Sequence, residues 1–409
     1  MPGAGNYIEY RDLTAAESGC TNMTPKQEHL FGELNTARYG DDRRKRPLFL
    51  PGKLREQSRS KLLAGPARDR AYEIMVRWAD LESSGKLETQ NETALEGEFL
   101  TQVFGEALGY ALFSEGQERW NLKPKYSVNG GQADAAIGLF GTSGGNGPRA
   151  VIELKGPRTN VDRDKFNGRT AVQQCWDYLN ALPPCPWGIV CNYVSFRIYH
   201  RNQTPNIYEL FTLADLRNEE IFQQFYCLLQ RDGVLPSAMG QAPRMDALLE
   251  ASLERQRQVG DELYDYYDFN RIRLIQHLCG KPHNQPLDEA IRIAQKLIDR
   301  IVFVAFCEDR ELLPDKSLRR AWEGIPPFSR VTNPRWQNYV DLFRSIETGN
   351  PKRGIAPYNG GLFKADPAVD DLELDDDWTD FFKVVGEYDF RHEVNVDVLG
   401  HLFEKSIKD

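Results

Sequence analysis

The sequence predicts an α/β domain, with a mixed central sheet flanked by helices, followed by an all-α domain. Three observations carry that prediction. Short, β-rich apolar runs recur between Lys123 and His200, and stretches with helical spacing separate them. Turn formers then cluster between Arg231 and Arg244, as Asp232-Gly233, Pro236, Gly240 and Pro243. Beyond that cluster the spacing of apolar residues is helical.

Residues 1 to about 65 are irregular and polar, with one short helix expected from Pro25 through Ala37. They read as a basic N-terminal extension. Arg43-Arg44-Lys45-Arg46 is followed by Lys53, Arg55, Arg59 and Lys61. Such a run either neutralises nucleic-acid phosphates or is a solvated tail. Pro66 to Leu81 has helical spacing, and Ser83-Ser84-Gly85 breaks it. Thr93 to Phe113 is a stronger helix, with Leu95, Phe99, Val103, Phe104, Ala107 and Leu108 on one side.

Lys123 to Val128 and Gln132 to Phe140 are the first two expected strands, and Gly141 to Gly147 reads as a flexible hairpin tip. That glycine-rich segment is no phosphate loop, because no Gly-Lys-Ser/Thr follows and it opens into a strand. The next strand is Arg149 to Lys155, R-A-V-I-E-L-K, stopped by Gly156-Pro157. Asp164 to Leu182 is expected as a helix, and Trp187 to Asn192 and Phe196 to His200 as further strands. In the second domain Met245 to Cys279 is helical, with an aromatic cluster of Tyr264, Tyr266, Tyr267 and Phe269. Leu287 to Leu313 is apolar almost all round and is expected to be that domain's buried spine.

Composition sets outer bounds. A chain of 409 residues is ample for two or three domains. A formal charge of −9 does not advertise a nucleic-acid binder, so local clusters must carry any such contact. Seven scattered cysteines with no C-x-x-C argue against a disulfide framework or a zinc site and for a reducing cytoplasm. No signal peptide and no apolar run long enough for a membrane span is present, so no membrane partner is expected.

Side chains alternate along a strand, so Glu153 and Lys155 project from one face while Leu154 packs on the other. If the two preceding strands pair as a hairpin, Asp134 lies beside them. Two carboxylates and an ammonium at a buried strand end are costly unless a cation or substrate engages them. Carboxylate oxygens suit Mg²⁺, which keeps water and phosphate among its ligands. Gln174 and Tyr178, four apart, share one helical face.

Asp134 followed by Glu153-Leu154-Lys155 resembles the PD-(D/E)xK nuclease signature, with Ala133 where the motif has proline. Gln174-x-x-x-Tyr178 after that strand resembles the helix motif of the RecB-like branch. The resemblance implies that Asp134 and Glu153 ligate Mg²⁺, with Mn²⁺ able to substitute, that Lys155 assists the attacking water, and that Gln174 and Tyr178 support the site. It puts the helix from Thr93 in the place of the first core helix, where Glu98 is the candidate for an additional acid. Arg158, Arg163, Lys165 and Arg169 are candidates to hold phosphates of double-stranded DNA, as are Arg43, Arg44, Lys45 and Arg46 in the extension. Plain surface charge is the other reading of both groups.

Three later segments, Gln295–Arg300 running into Phe306–Arg310, Tyr358–Phe363 and Leu399–Glu404, resemble the helical connector of type IIG/IIL restriction–modification enzymes. Those are single chains joining such a nuclease to an adenine methyltransferase and a target-recognition domain, and they serve in phage defence. The implied layout is an extension to 65, an endonuclease domain over 66–235 and a connector over 236–409. Neither Ile325-Pro326-Pro327-Phe328 nor Asn333-Pro334-Arg335-Trp336 satisfies the methyltransferase motif. S-adenosylmethionine is therefore expected only through a methyltransferase absent from this sequence. The expectation is either a truncated piece or a natural nuclease-plus-connector protein, cytoplasmic, acting as a site-specific deoxyribonuclease. The competing class is a catalytically inactive nuclease-fold scaffold or DNA-binding module in a defence complex.

Overall fold

The structure, a computed structural model, describes residues 45–115, 119–141, 147–237, 240–325, 328–358, 360–394 and 400. Arg43, Arg44, the helix expected over 25–37, most of the glycine-rich hairpin tip and all but residue 400 of the 399–404 segment lie outside them.

A six-stranded mixed sheet is the centre of the first part, in the order β1 (Arg119–Val128), β2 (Gly131–Gly141), β3 (Pro148–Leu154), β4 (Trp187–Cys191), β5 (Ser195–His200) and β6 (Glu209–Thr212). β3 and β4 are parallel and every other neighbouring pair is antiparallel. Asn129-Gly130 closes the first hairpin as a two-residue turn, with Gly130 at φ 85°. Glycine supplies that positive φ at the second turn position, and the two-residue connection sets the register of both strands. β6 was not expected from the sequence, and β1 starts four residues earlier than expected.

Helices cover both faces. α1 (Pro51–Ser58), α2 (Pro66–Ser83), α3 (Glu92–Phe99) and α5 (Glu219–Leu229) bury apolar side chains in one core with Ala135, Ile137, Ala150, Ile152, Leu154, Ile189 and Ile198 of the sheet. Leu48, Phe49, Leu54 and Leu63 belong to this core. The described end of the expected extension is therefore packed structure, because its apolar residues fall on a face that the sheet-side helices cover. α4 (Ala171–Ala181) lies on the opposite face as the crossover between β3 and β4. It approaches closely: a Cβ on Gly188 of β4 would sit 2.5 Å from the Cys175 sulfur and 3.1 Å from Leu179.

Two expected helices differ in length. The helix from Glu92 continues past Phe99 as a π-helical stretch to Ala107 and stops before 113. Gly109, at φ 80°, ends it there with its N–H on the Gly105 carbonyl. The helix expected from Asp164 starts only at Ala171. Asn167 and Gly168 both have positive φ, 52° and 81°, which no helix accommodates. Thr170 then caps α4 reciprocally with Gln173. Residues 156–170 are consequently a loop.

After α6 (Arg231–Val234), α7 (Arg244–Cys279) runs for 36 residues as one helix. Its Met245, Leu248 and Leu249 close the first core, and Val259, Leu263 and Tyr267 open a second. The change of core thus falls inside a continuous helix, not in the Pro/Gly-rich stretch before it. α8 (Leu287–Asp309) is buried through Ile293, Leu297, Ile301, Val304 and Ala305 and forms the spine of the second core. Around it lie α9 (Ser317–Glu323), α10 (Pro334–Thr348), α11 (Pro367–Asp370) and α12 (Trp378–Val385). Arg300 of α8, fully buried, donates to the Leu362 carbonyl at 2.9 Å and to Asp370 at 2.6 Å. It joins the first connector-like segment to the second, so both are packing elements. Among the described residues no helix is long and apolar enough to cross a membrane.

Candidate active site

Ala135 of β2 pairs with Ile152 of β3, and both point into the first core. Alternation along a strand then turns their neighbours Asp134 and Glu153 to the other face, opposite one another. On β1, Pro124 pairs with Ala135 and Tyr126 with Ala133, which places Lys125 across from Asp134. Lys125, Asp134 and Glu153 form a row across three strands, beside the end of the sheet from which Lys155 emerges.

Asp134 is tied at both oxygens. Oδ2 accepts the Leu154 amide at 2.8 Å, and Oδ1 takes the Lys125 ammonium at 2.9 Å. Glu153 is 2% exposed, with Oε1 on the Lys155 ammonium and Oε2 without a hydrogen-bond partner. Burial, and then the negative charge of Asp134, push its carboxyl up to about 7, against the pull of Lys155. The Lys155 ammonium also donates to the Leu154 carbonyl at 2.9 Å and lies 4.0 Å from Asp134. The Phe166 ring caps it at 5.5 Å.

Two further acids join this group. Glu92, in the first turn of α3, accepts the Gly156 amide at 3.0 Å, just past the end of β3. Burial raises its carboxyl, Lys155 lowers it and Asp134 raises it. Glu96, one turn on, pairs with Lys125 at 2.8 Å. Glu98 is turned elsewhere: it is exposed and accepts from Gln102 at 2.9 Å. The acids that α3 brings to the site are therefore Glu92 and Glu96, which share a face four residues apart, and not Glu98.

Gln174 and Tyr178 do not touch the carboxylates. Gln174 donates to the Arg169 carbonyl at 3.3 Å and the Phe166 carbonyl at 3.5 Å, holding the loop that carries the ring over Lys155. Tyr178 donates to the Gln132 carbonyl at 3.0 Å, two residues ahead of Asp134. Both steady what surrounds the site.

The expected basic contacts divide. Arg158, Arg163 and Lys165 are exposed on the 156–170 loop, with Arg158 3.7 Å from Glu88. Arg169 is paired with Asp177 at 2.8 Å. Lys45 pairs with Asp162 at 3.4 Å, which also takes Arg197 at 2.7 Å. Arg46 bridges to Ile207 beside β6 through its backbone. A cavity of about 300 Å³, lined by Arg149, His200, Asp246, Leu253 and Arg257, lies at the other end of β3, away from the carboxylates.

Among the described residues no three His, Cys, Asp or Glu side chains already converge as a metal-ligand set. Two ammonium groups stand among the carboxylates instead. The donors nonetheless fit a hard divalent cation: they are carboxylate oxygens throughout, and the buried Glu153 Oε2 has no partner. A buried, unpaired carboxylate oxygen costs stability unless something engages it.

No family model and no curated protein matches this chain. One solved structure, a cryo-EM structure of the DrdV–DNA complex, matches 83% of this chain at 12% identity, with a TM-score of 0.23. This chain spans 29% of that one. A superposition that loose does not establish a shared fold.

Proposed function

We propose that this chain hydrolyses DNA phosphodiesters through a PD-(D/E)xK site, as the nuclease and connector of a type IIG/IIL restriction–modification enzyme. The observation that carries the reading is Glu153, buried with one free carboxylate oxygen, opposite Asp134 and in contact with Lys155. Asp134 and Glu153 would hold Mg²⁺, or Mn²⁺ in its place. The ion when bound supplies Lewis-acid polarisation of the phosphodiester and a water of lowered pKa. Lys155 keeps a positive charge, fixed by the Leu154 carbonyl, where negative charge builds on the phosphate. Phe166 and the Gln174-braced loop shield that ammonium from water. The exposed Arg158, Arg163 and Lys165 hold the strand by its phosphates, which positions DNA without reading sequence. Sequence reading and S-adenosylmethionine chemistry belong to the target-recognition and methyltransferase domains of that enzyme class.

One observation favours the inactive-scaffold reading: each strand acid already has an ammonium, Lys125 on Asp134 and Lys155 on Glu153. Plasmid nicking with Mg²⁺, with EDTA and with Asp134→Asn separates the two. Metal-dependent nicking that the variant abolishes supports the nuclease. A protein that neither nicks nor gains melting temperature with Mg²⁺ or Mn²⁺ is a scaffold.

A further inference from the structure

Four carboxylates, Glu92, Glu96, Asp134 and Glu153, share the acidic cluster with two ammonium groups, Lys125 and Lys155. Fully ionised, the group carries a formal charge of −2, the complement of one divalent cation. Lys155 accounts for the inner part, against Glu153. Lys125 accounts for the outer part, bridging Glu96 at 2.8 Å and Asp134 Oδ1 at 2.9 Å. It is built into that position. Lys125 has φ 51°, a left-handed backbone uncommon for a non-glycine residue, and it stands opposite Asp134 in the register set by the Asn129-Gly130 turn. Glu153, which has the free oxygen, stands on the other side of Asp134 from Lys125 in the strand row, so one cation can be held by Asp134 and Glu153 while the ammonium stays.

Resting on the metal reading of Asp134 and Glu153, we propose that Lys125 is a built-in counter-ion that occupies the outer half of the cluster and limits it to a single divalent cation. It is a positioning residue. It neutralises Glu96, keeps Asp134 Oδ1 engaged and leaves Glu153 Oε2 as the open donor. Without it the outer half holds two uncompensated carboxylates, Glu96 and Asp134, whose oxygens have the chemistry of a second hard-cation site.

The test is Mn²⁺ binding to the full chain by titration calorimetry, with melting temperature read alongside. The unaltered protein is expected to bind one Mn²⁺ and Asp134→Asn to lose it. Lys125→Met is expected to bind two, and Lys125→Arg, which keeps the charge, to bind one. Lys125→Gln replaces Lys125→Met if the latter does not fold. One Mn²⁺ with unchanged affinity in the neutral variants overturns the role of Lys125 and leaves the metal reading standing, as does two in the unaltered protein. No Mn²⁺ in any protein, or one that Asp134→Asn retains, overturns the metal reading and the proposal together.

Discussion

Asp134 accepts the Leu154 amide through Oδ2 at 2.8 Å, so this acid ties the second strand to the end of the third as well as facing the site. Removing it does two things. Asp134→Ala leaves a buried N–H unpaired, which costs about 1–3 kcal/mol. Asp134→Asn keeps an acceptor there and removes only the charge. We expect both variants to lose Mn²⁺ binding and nicking, and only Asp134→Ala to melt early. Equal melting temperatures for the two would show that the hydrogen bond to Leu154 contributes nothing.

Lys155→Met keeps both strand acids and removes the charge that the proposed mechanism sets against the reacting phosphate. Loss of a preorganised charge of this kind costs about a hundredfold or more in rate. The buried partner makes stability pH-dependent. With Lys155 gone, the lowering influence on Glu153 disappears and its carboxyl rises beyond about 7. At pH 6 the carboxyl is neutral and the variant is close to the parent in stability. At pH 8.5 part of the population must bury an uncompensated carboxylate, so the variant falls further behind. Nicking rates with melts at the two pH values read both effects. Undiminished cleavage by a folded Lys155→Met protein removes this lysine from the mechanism.

Much of this site was legible because strand alternation is a strict rule. Glu153 and Lys155 fall on one face by parity alone, Asp134 joins them once its strand pairs in the register Ala135 to Ile152, and Gln174 and Tyr178 share a side by helical spacing. What was missed needed register. Asn129-Gly130 is a strong two-residue turn signal, and counting back from it sets Lys125 opposite Asp134. Choosing between Glu92, Glu96 and Glu98 needed the helix's rotation, which Leu95 and Phe99 fix by pointing into the core. The apolar spacing ahead of α4 runs on through Asn167-Gly168, a pair that favours a turn, so it predicts a start earlier than Ala171. The change of core inside α7 could not be seen, since a 36-residue helix has the same local pattern wherever its neighbours change.

Arg158, Arg163 and Lys165 are exposed on the loop beside the acids, and the DNA contact proposed for them would be electrostatic. Replacing all three with alanine should weaken binding similarly for unrelated duplexes. It should also flatten the salt dependence, by about 0.9 in log–log slope for each phosphate no longer neutralised. Fluorescence anisotropy on two duplexes over a salt series measures this. An unchanged slope would assign them to plain surface charge. Arg169, already paired with Asp177, should change little when replaced alone.

Glu308 gives the second core a pH signature separate from the candidate site. It sits at the end of α8, 5% exposed, and accepts the Leu318 amide at 3.1 Å as α9 begins. Burial raises its carboxyl from 4.5 to about 8. The folded protein therefore holds a proton that the unfolded chain releases at lower pH. Stability from this group is full below pH about 4.5 and is lost as pH rises towards 8, by at most about 1.4 kcal/mol per pH unit. Asp299 and Asp309, raised to about 6 by burial, and Glu153, raised to about 7, add declines of the same sign. Those three are present in the parent and in Glu308→Gln, so the difference between the two proteins from pH 6 to 8 reads Glu308 together with its charge coupling to Asp309. Glu308→Gln keeps the acceptor for Leu318 and cannot ionise. Its urea-melt stability should stay flatter across that interval and exceed the parent's at pH 8. Parallel curves for the two proteins would mean that Glu308 is ionised in the folded state throughout, with the Leu318 amide sufficient to hold its charge.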